Sequence, residues 1–187
     1  MTIGHSTLPG EVFVGALVEN GCDLLVDVRR YPGSRRHPQF GQERLFASLA
    51  EAGIRGVWRE GLGGRRKALP ESINTGWRNE AFRGYADYMQ TPSFSGEIDW
   101  LMEEIQHFSV AVMCAEAVPW RCHRSLIADA LLARKIPVED IYVTASGASS
   151  RKPHVLPVFA RVEDGRVWYP PEPDDQARSS KCCDKCR

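Results

Sequence analysis

Two short apolar runs constrain this chain more than any other feature: Leu24-Leu25-Val26-Asp27-Val28 and Ser109-Val110-Ala111-Val112-Met113. Neither alternates with period two, and each is too short for a helix. Runs of this kind form strands covered on both faces, the mark of a parallel sheet. The intervening chain supplies the cover. A first strand at Thr2 to Gly4 leads to a helix from about Pro9 to Asn20, with Phe13, Leu17 and Val18 on one face and Gly21 ending it. Another helix spans about Gln42 to Ala52, with Leu45, Leu49 and Ala50 on its apolar side. Further helices are expected at Asn79 to Met89, Ser95 to His107 and Arg124 to Arg134, and further strands at Val57-Trp58 and Asp140 to Thr144. Alternating strands and helices predict an α/β fold: a mostly parallel sheet with helices on both faces and right-handed crossovers. A small C-terminal β-hairpin follows, Phe159 to Val162 with Arg166 to Tyr169, turning on Asp164-Gly165.

The expected organisation is one domain over residues 1–169. Residues 170–187, rich in Pro, Asp and Cys, form a loosely held tail. The stretch from Gly61 to Arg78 reads as a long loop, and such loops are commonly functional.

Bulk charge favours no class of partner. Lys plus Arg equal Asp plus Glu at 24 each, so no global field draws the chain to nucleic acid or membrane. Any anion site has to be built locally. Met1-Thr2-Ile3-Gly4-His5 offers no secretory pattern, and no apolar run reaches membrane-spanning length. The expectation is a cytoplasmic protein whose six cysteines are reduced.

In an open parallel sheet, ligands bind beyond the carboxyl ends of the strands. His5-Ser6 follows the first strand, Arg29-Arg30 the second, and Cys114-Ala115-Glu116 the second long apolar run. The helix beginning near Arg124 directs its amino end, with Cys122 and His123, to the same rim. This constellation suits an anion and a thiol of lowered pKa. The expected catalytic residues are His5, Cys114, Glu116, Cys122 and His123. The expected substrate or anion ligands are Ser6, Arg29, Arg30, Ser34, Arg35 and Arg124. Cys22, between a helix end and a strand, reads as structural.

Three tempting motifs carry less weight. Cys114-Ala-Glu116 with Pro119 and Cys122 has parts of the zinc deaminase signature, but its two halves are almost fused and the second cysteine of the pair is missing. The spacing from Cys114 to Arg121 is one residue too long for the Cys-x5-Arg loop of cysteine phosphatases. Rhodanese-like sulfurtransferases share an Asp-Val-Arg after an early strand, yet their cysteine loop does not match this one.

Taken together, Thr2-Ile3-Gly4-His5-Ser6, Asp27-Val28-Arg29, Pro32 with Ser34-Arg35, Phe40, Leu62-Gly63-Gly64, Tyr85-Ala86-x-Tyr88-Met89 and Met113-Cys114-Ala115-Glu116-x-x-Pro119-x-x-Cys122-His123-Arg124 resemble a bacterial and archaeal family, that of domain of unknown function 488. The resemblance covers about Thr2 to Arg161. It brings no established reaction. Its recurring motifs fall on the positions already singled out at strand ends.

Three functional readings follow. The first is an enzyme acting on a small anionic substrate, phosphorylated, sulfur-containing or a nucleotide. Cys114 or Cys122 would be the nucleophile, His5 or His123 the base, and Glu116 an orienting group or acid. The second is a nucleic-acid-binding or nucleic-acid-processing protein, resting on Arg29-Arg30, Arg35-Arg36 and Arg65-Arg66-Lys67 with Trp58, Trp77 and Trp120 for stacking; zero net charge disfavours it. The third is a metal-dependent enzyme at the same pocket. Cys114, Cys122, His123, His5 and Glu116 are competent ligands, but Cys122 and His123 are adjacent, and neighbouring side chains rarely chelate one ion. The first reading therefore assigns no metal, and the cofactor is left open. Cys182, Cys183 and Cys186 in the tail form a separate ligand cluster without a partner pair.

Overall fold

The computed structural model describes residues 1–33 and 36–171. Its elements run β1 (Thr2–Gly4), α1 (Gly10–Glu19), β2 (Leu24–Asp27), α2 (Gln42–Glu51), β3 (Arg55–Trp58), α3 (Glu80–Tyr88), α4 (Pro92–His107), β4 (Val110–Cys114), α5 (Arg124–Ala133), β5 (Glu139–Val143), β6 (Ser149–Pro153), β7 (Arg161–Glu163) and β8 (Arg166–Trp168). A six-stranded sheet has the order β3-β2-β4-β1-β5-β6. Neighbours among the first five strands are parallel, and β6 is antiparallel to β5. The α/β architecture expected from the sequence is the one observed.

The pleat divides the core. Leu24, Val26, Val110 and Val112 face one side, where Tyr85 of α3, Phe94 and Ile98 of α4 and Leu126 and Ile127 of α5 cover them. Ile3, Leu25, Ala111 and Met113 face the other, against Phe13 and Leu17 of α1 and Leu45 and Leu49 of α2. Each fully buried side chain of this size contributes about 1.5–3 kcal/mol, so both layers hold the central strands in place. The unbroken apolar runs are explained: each strand meets helices on both of its faces.

Local chemistry sets the ends. Asn79 caps α3 through its side-chain oxygen, which accepts from the N–H groups of Ala81 and Phe82. Thr91 caps α4, with Pro92 in the first turn. The hairpin turns at Asp164 and Gly165, both with positive φ (48° and 74°), as a two-residue hairpin turn requires. The first hairpin strand lies at Arg161–Glu163, further along the chain than the expected Phe159 to Val162.

β6 was not anticipated. Ser149-Ser150-Arg151-Lys152-Pro153 is almost wholly exposed. It pairs on one side only, and a polar edge strand has neither an apolar run nor alternation to announce it. Among the described residues, no helix is long and apolar enough to cross a membrane. The expected tail lies outside the described residues apart from its first two positions, and with it Cys182, Cys183 and Cys186.

Candidate functional site

β1, β4 and β2 lie close together in the sheet, so the segments leaving their carboxyl ends meet. Gly4 is in register with Cys114, and Asp27 with Met113. The β1–β4 pairing continues past the strands: the His5 N–H donates to the Cys114 carbonyl at 3.0 Å and the Ser6 N–H to that of Ala115 at 2.8 Å. The loop after Cys114 crosses so close to β1 that a Cβ on Gly4 would collide with the Glu116 carbonyl oxygen. Glycine at position 4 is therefore a packing requirement of the site.

Alternation along the strands sorts the expected site residues onto two faces. His5 follows Ile3 by two and shares its face; Cys114 follows Val112 by two and shares the opposite one. The structure therefore holds two neighbouring clusters at one sheet edge.

The first is built on Asp27, fully buried, and Arg29. The Arg29 guanidinium makes a two-pronged contact with Asp27 (Nε to Oδ1 2.9 Å, NH2 to Oδ2 2.6 Å), and its NH1 donates to the Phe40 carbonyl at 2.8 Å. The same NH1 lies 3.4 Å from His5 Nε2. The His5 ring stacks on Phe40 with centroids 4.1 Å apart, and its Nδ1 donates to the Ser6 carbonyl at 2.9 Å. Burial, then the Arg29 charge, lowers the His5 pKa to about 4, so the ring is neutral at pH 7. The His5 ring is held by Phe40 and Arg29, and it is the His123 ring that lies against the Cys114 sulfur. Arg29 is committed to Asp27 and Phe40 before any ligand arrives.

The second cluster holds both thiols. His123 Nδ1 lies 3.9 Å from Cys114 Sγ and 3.8 Å from Cys122 Sγ. His123 Nε2 lies 3.1 Å from the Val28 carbonyl oxygen. A carbonyl only accepts, so Nε2 carries a proton, and in the neutral ring the Nδ1 lone pair faces the sulfurs. The three donor atoms lie within 4.8 Å of one another. A hydrogen bond from the Cys122 thiol pulls the Cys114 pKa below its usual value against the opposing effect of burial; the Ala115 and Glu116 N–H groups and the Arg124 charge pull the same way. Cys122, donating that bond and buried, is pushed up. The ring is packed from two further sides. Tyr85 lies 5.0 Å away between centroids and donates its hydroxyl to the Leu62 carbonyl at 2.8 Å, and a Cβ on Gly64 would come 2.9 Å from His123 Nδ1.

Two clefts open over these clusters. One of about 640 Å³ is lined by His5, Ser6, Arg29, His37, Glu116 and Arg121. The other, about 470 Å³, is lined by Arg30, Arg65, Cys114, Glu116, Cys122 and His123. Arg29, Tyr31, Glu116 and Arg121 border both. Glu116 and Arg121 are exposed on the shared rim. Arg30 pairs with Glu60 at 3.0 Å on the far side. Ser34 and Arg35 lie outside the described residues.

Arg124 departs from the expected role. It is completely buried and lines neither cleft; NH1 donates to the Glu116 carbonyl and NH2 to that of Ala117 at 2.9 Å. It clamps the loop that carries Glu116 instead of meeting an anion. The tryptophans offered for base stacking are mostly committed too. Trp58 donates Nε1 to the Arg29 carbonyl at 3.0 Å, and Trp77 packs against Phe82, Phe159 and Tyr169. Trp120 stands 65% exposed. Cys22 is buried in the core, as expected, and burial raises its pKa to about 11.

Sequence reasoning did not assign roles to Val28, Gly64 and Tyr85, which orient the His123 ring. Parity along a strand gives which residues of that strand share a face; which face of β1 matches which face of β4 comes from their register.

A family model described as domain of unknown function DUF488 matches residues 10–131. That span takes in Asp27-Val28-Arg29, Leu62-Gly63-Gly64 and both cysteine motifs, but not Gly4-His5-Ser6. No curated protein and no solved structure matches the chain.

Proposed function

Because the chain belongs to the DUF488 family, whose name carries no activity, we propose a function from the site itself: an enzyme that holds a small anionic substrate in the cleft over Cys114 and acts on it with the thiol–imidazole group at the cleft floor. The observation that carries this reading is the meeting of Cys114 Sγ, Cys122 Sγ and the His123 Nδ1 lone pair within 4.8 Å beneath an arginine-bearing rim. Reactive groups and substrate-holding charge are then adjacent, as an active site needs. Arg121, Arg65 and Arg30 attract the anion, and Glu116 stands beside it as an acid or orienting group. His5, Ser6 and Arg29 belong to the neighbouring cluster, where they fix the shape of the shared rim. The reading places the protein in a reducing compartment, where both thiols stay available.

The test has two arms. Titration calorimetry with inorganic phosphate, sulfate and thiosulfate measures binding, and a panel of small phosphate, sulfate and thiol esters measures turnover. Expected are binding of at least one anion that falls in Arg121→Gln, and turnover that falls about a hundredfold or more in Cys114→Ser. No anion binding together with no Cys114-dependent turnover would refute it.

A further inference from the structure

We propose that Cys114 Sγ, Cys122 Sγ and His123 Nδ1 bind a single zinc ion, with a fourth coordination position left to the cleft. Both sulfur–nitrogen separations, 3.9 and 3.8 Å, are close to the roughly 3.5 Å that follows from tetrahedral zinc with Zn–S of about 2.3 Å and Zn–N of about 2.0 Å. Those two separations need a shift of only a few tenths of an ångström, and all three donor atoms lie within 4.8 Å of one another. The three donors come from the end of β4 and the start of α5, elements pinned by the core.

Adjacency of Cys122 and His123 argues against shared chelation in a regular backbone, where consecutive side chains diverge. Here the backbone changes type between them. Cys122 is extended (φ −133°, ψ 140°) and His123 is helical (φ −58°, ψ −17°). The break brings both donor atoms to one point, 3.8 Å apart.

An independent observation points the same way. The Val28 carbonyl holds the proton of His123 on Nε2, so Nδ1 presents a lone pair to the sulfurs. A backbone carbonyl that accepts the distal N–H is a usual outer partner of a metal-ligating histidine. Tyr85 and Gly64 fix the ring plane. Two sulfurs and one imidazole suit zinc and exclude the oxygen-seeking cations magnesium, calcium and manganese. Three protein ligands with an open fourth position are the arrangement of catalytic zinc.

On binding, each thiol releases one proton to solvent, two Zn–S bonds form, the imidazole donates its lone pair, and the ion's charge is balanced by the two thiolates. Water takes the fourth position. In this form the thiolates are ligands and the fourth position opens towards the anion in the cleft, while the metal-free protein keeps the thiol–imidazole group of the reading above. The inference deepens the reading above and rests on it for the role of the cleft. The binding of the ion can be tested alone.

The experiment uses the full chain and Zn²⁺. The cysteines at 182, 183 and 186 are replaced together by serine so that the tail contributes no ligand, and zinc is titrated against a chromophoric chelator. Expected is one zinc per chain, lost or weakened by about a hundredfold or more in Cys114→Ser and in Cys122→Ser, since even outer partners are worth ten- to hundredfold. Co²⁺ in the same site gives thiolate charge-transfer and tetrahedral d–d absorption. If the serine variants do not fold, the unsubstituted pocket still answers. Zn²⁺ slows alkylation of Cys114 and Cys122 at least about tenfold by peptide mapping, while Cys22 is unaffected. Absence of zinc binding, zinc binding retained in both serine variants, or alkylation rates unchanged by Zn²⁺ would overturn the inference. Anion binding without zinc binding would leave the proposed function standing; zinc binding with neither anion binding nor Cys114-dependent turnover would remove that function and leave the metal site.

Discussion

His123 Nε2 lies 3.1 Å from the carbonyl oxygen of Val28, and this contact determines what the other side of the ring can do. The carbonyl belongs to the residue just past β2, while the thiols belong to β4 and the loop before α5. One imidazole thus links three segments and aims its lone pair at the sulfurs. In chelator-treated protein, the histidine long-range ¹H–¹⁵N spectrum of the neutral His123 ring should show the Nε2–H tautomer. A neutral ring protonated on Nδ1 would contradict the arrangement.

Gly4 and Gly64, both closely approached at the site, should respond differently to alanine. At Gly4 the added Cβ meets the Glu116 carbonyl oxygen and carbon, which are backbone; at Gly64 it meets the His123 ring at 2.9 Å. Backbone cannot step aside, whereas a side chain can turn. Gly4→Ala should cost about 3 kcal/mol or more, and Gly64→Ala about 1–2 kcal/mol, on the scale of overpacked cores. Urea denaturation checks the order. Gly64→Ala should also change the alkylation rate of Cys114, because the displaced ring faces that thiol. Equal stability losses would sink the argument.

Arg124 holds the Glu116 and Ala117 carbonyls from a completely buried position. Arg124→Met would leave both acceptors without their donors, at about 2–4 kcal/mol. Arg124→Lys should recover little, because one ammonium cannot reproduce a planar fork reaching two carbonyls. Denaturation of both variants tests this. A lysine variant as stable as the parent would show that the charge alone suffices.

The sequence was informative where burial on both faces wrote itself into composition. Leu24 to Val28 and Val110 to Met113 are apolar at every position but Asp27, and the helices between them repeat at helical spacing, so the parallel sheet was legible. The strand-end rule found Cys114, Cys122 and His123 together. It did not separate His5 from Cys114, because that depends on the register between β1 and β4, and three residues of β1 carry no register signal. Asp27 and Arg29 are two apart and so share a face, a parity readable in advance. The burial of Arg124 was hidden for another reason: its partners are carbonyls, which every residue has. β6 was missed because a solvent-facing edge needs no apolar residues.

A second buried polar network should govern stability above neutral pH. His154 donates from Nδ1 to Asp140 at 2.8 Å and from Nε2 to Asp129 at 2.9 Å. Asp129 also accepts from the Tyr169 hydroxyl at 2.6 Å, and Asp140 from the Thr2 hydroxyl. Burial alone would lower the His154 pKa, but the two carboxylates outweigh it and raise the value from 6.5 to about 9. The ring is a cation clasped between α5 and β5. A group whose pKa is raised on folding adds stability that is complete below its unfolded value and lost as pH climbs through the folded one. The window therefore runs from about pH 6.5 to about pH 9, with an upper bound of about 3 kcal/mol. Other groups titrate in this range, so the informative quantity is the difference between the parent and His154→Gln. The variant should be less stable at pH 6, where it leaves both buried carboxylates without their cation. Its deficit should shrink steadily towards pH 10, where the parent has lost the charge as well. Urea midpoints across that range measure it, and a deficit that stays constant or grows with pH would show that His154 is not held as a cation by Asp129 and Asp140.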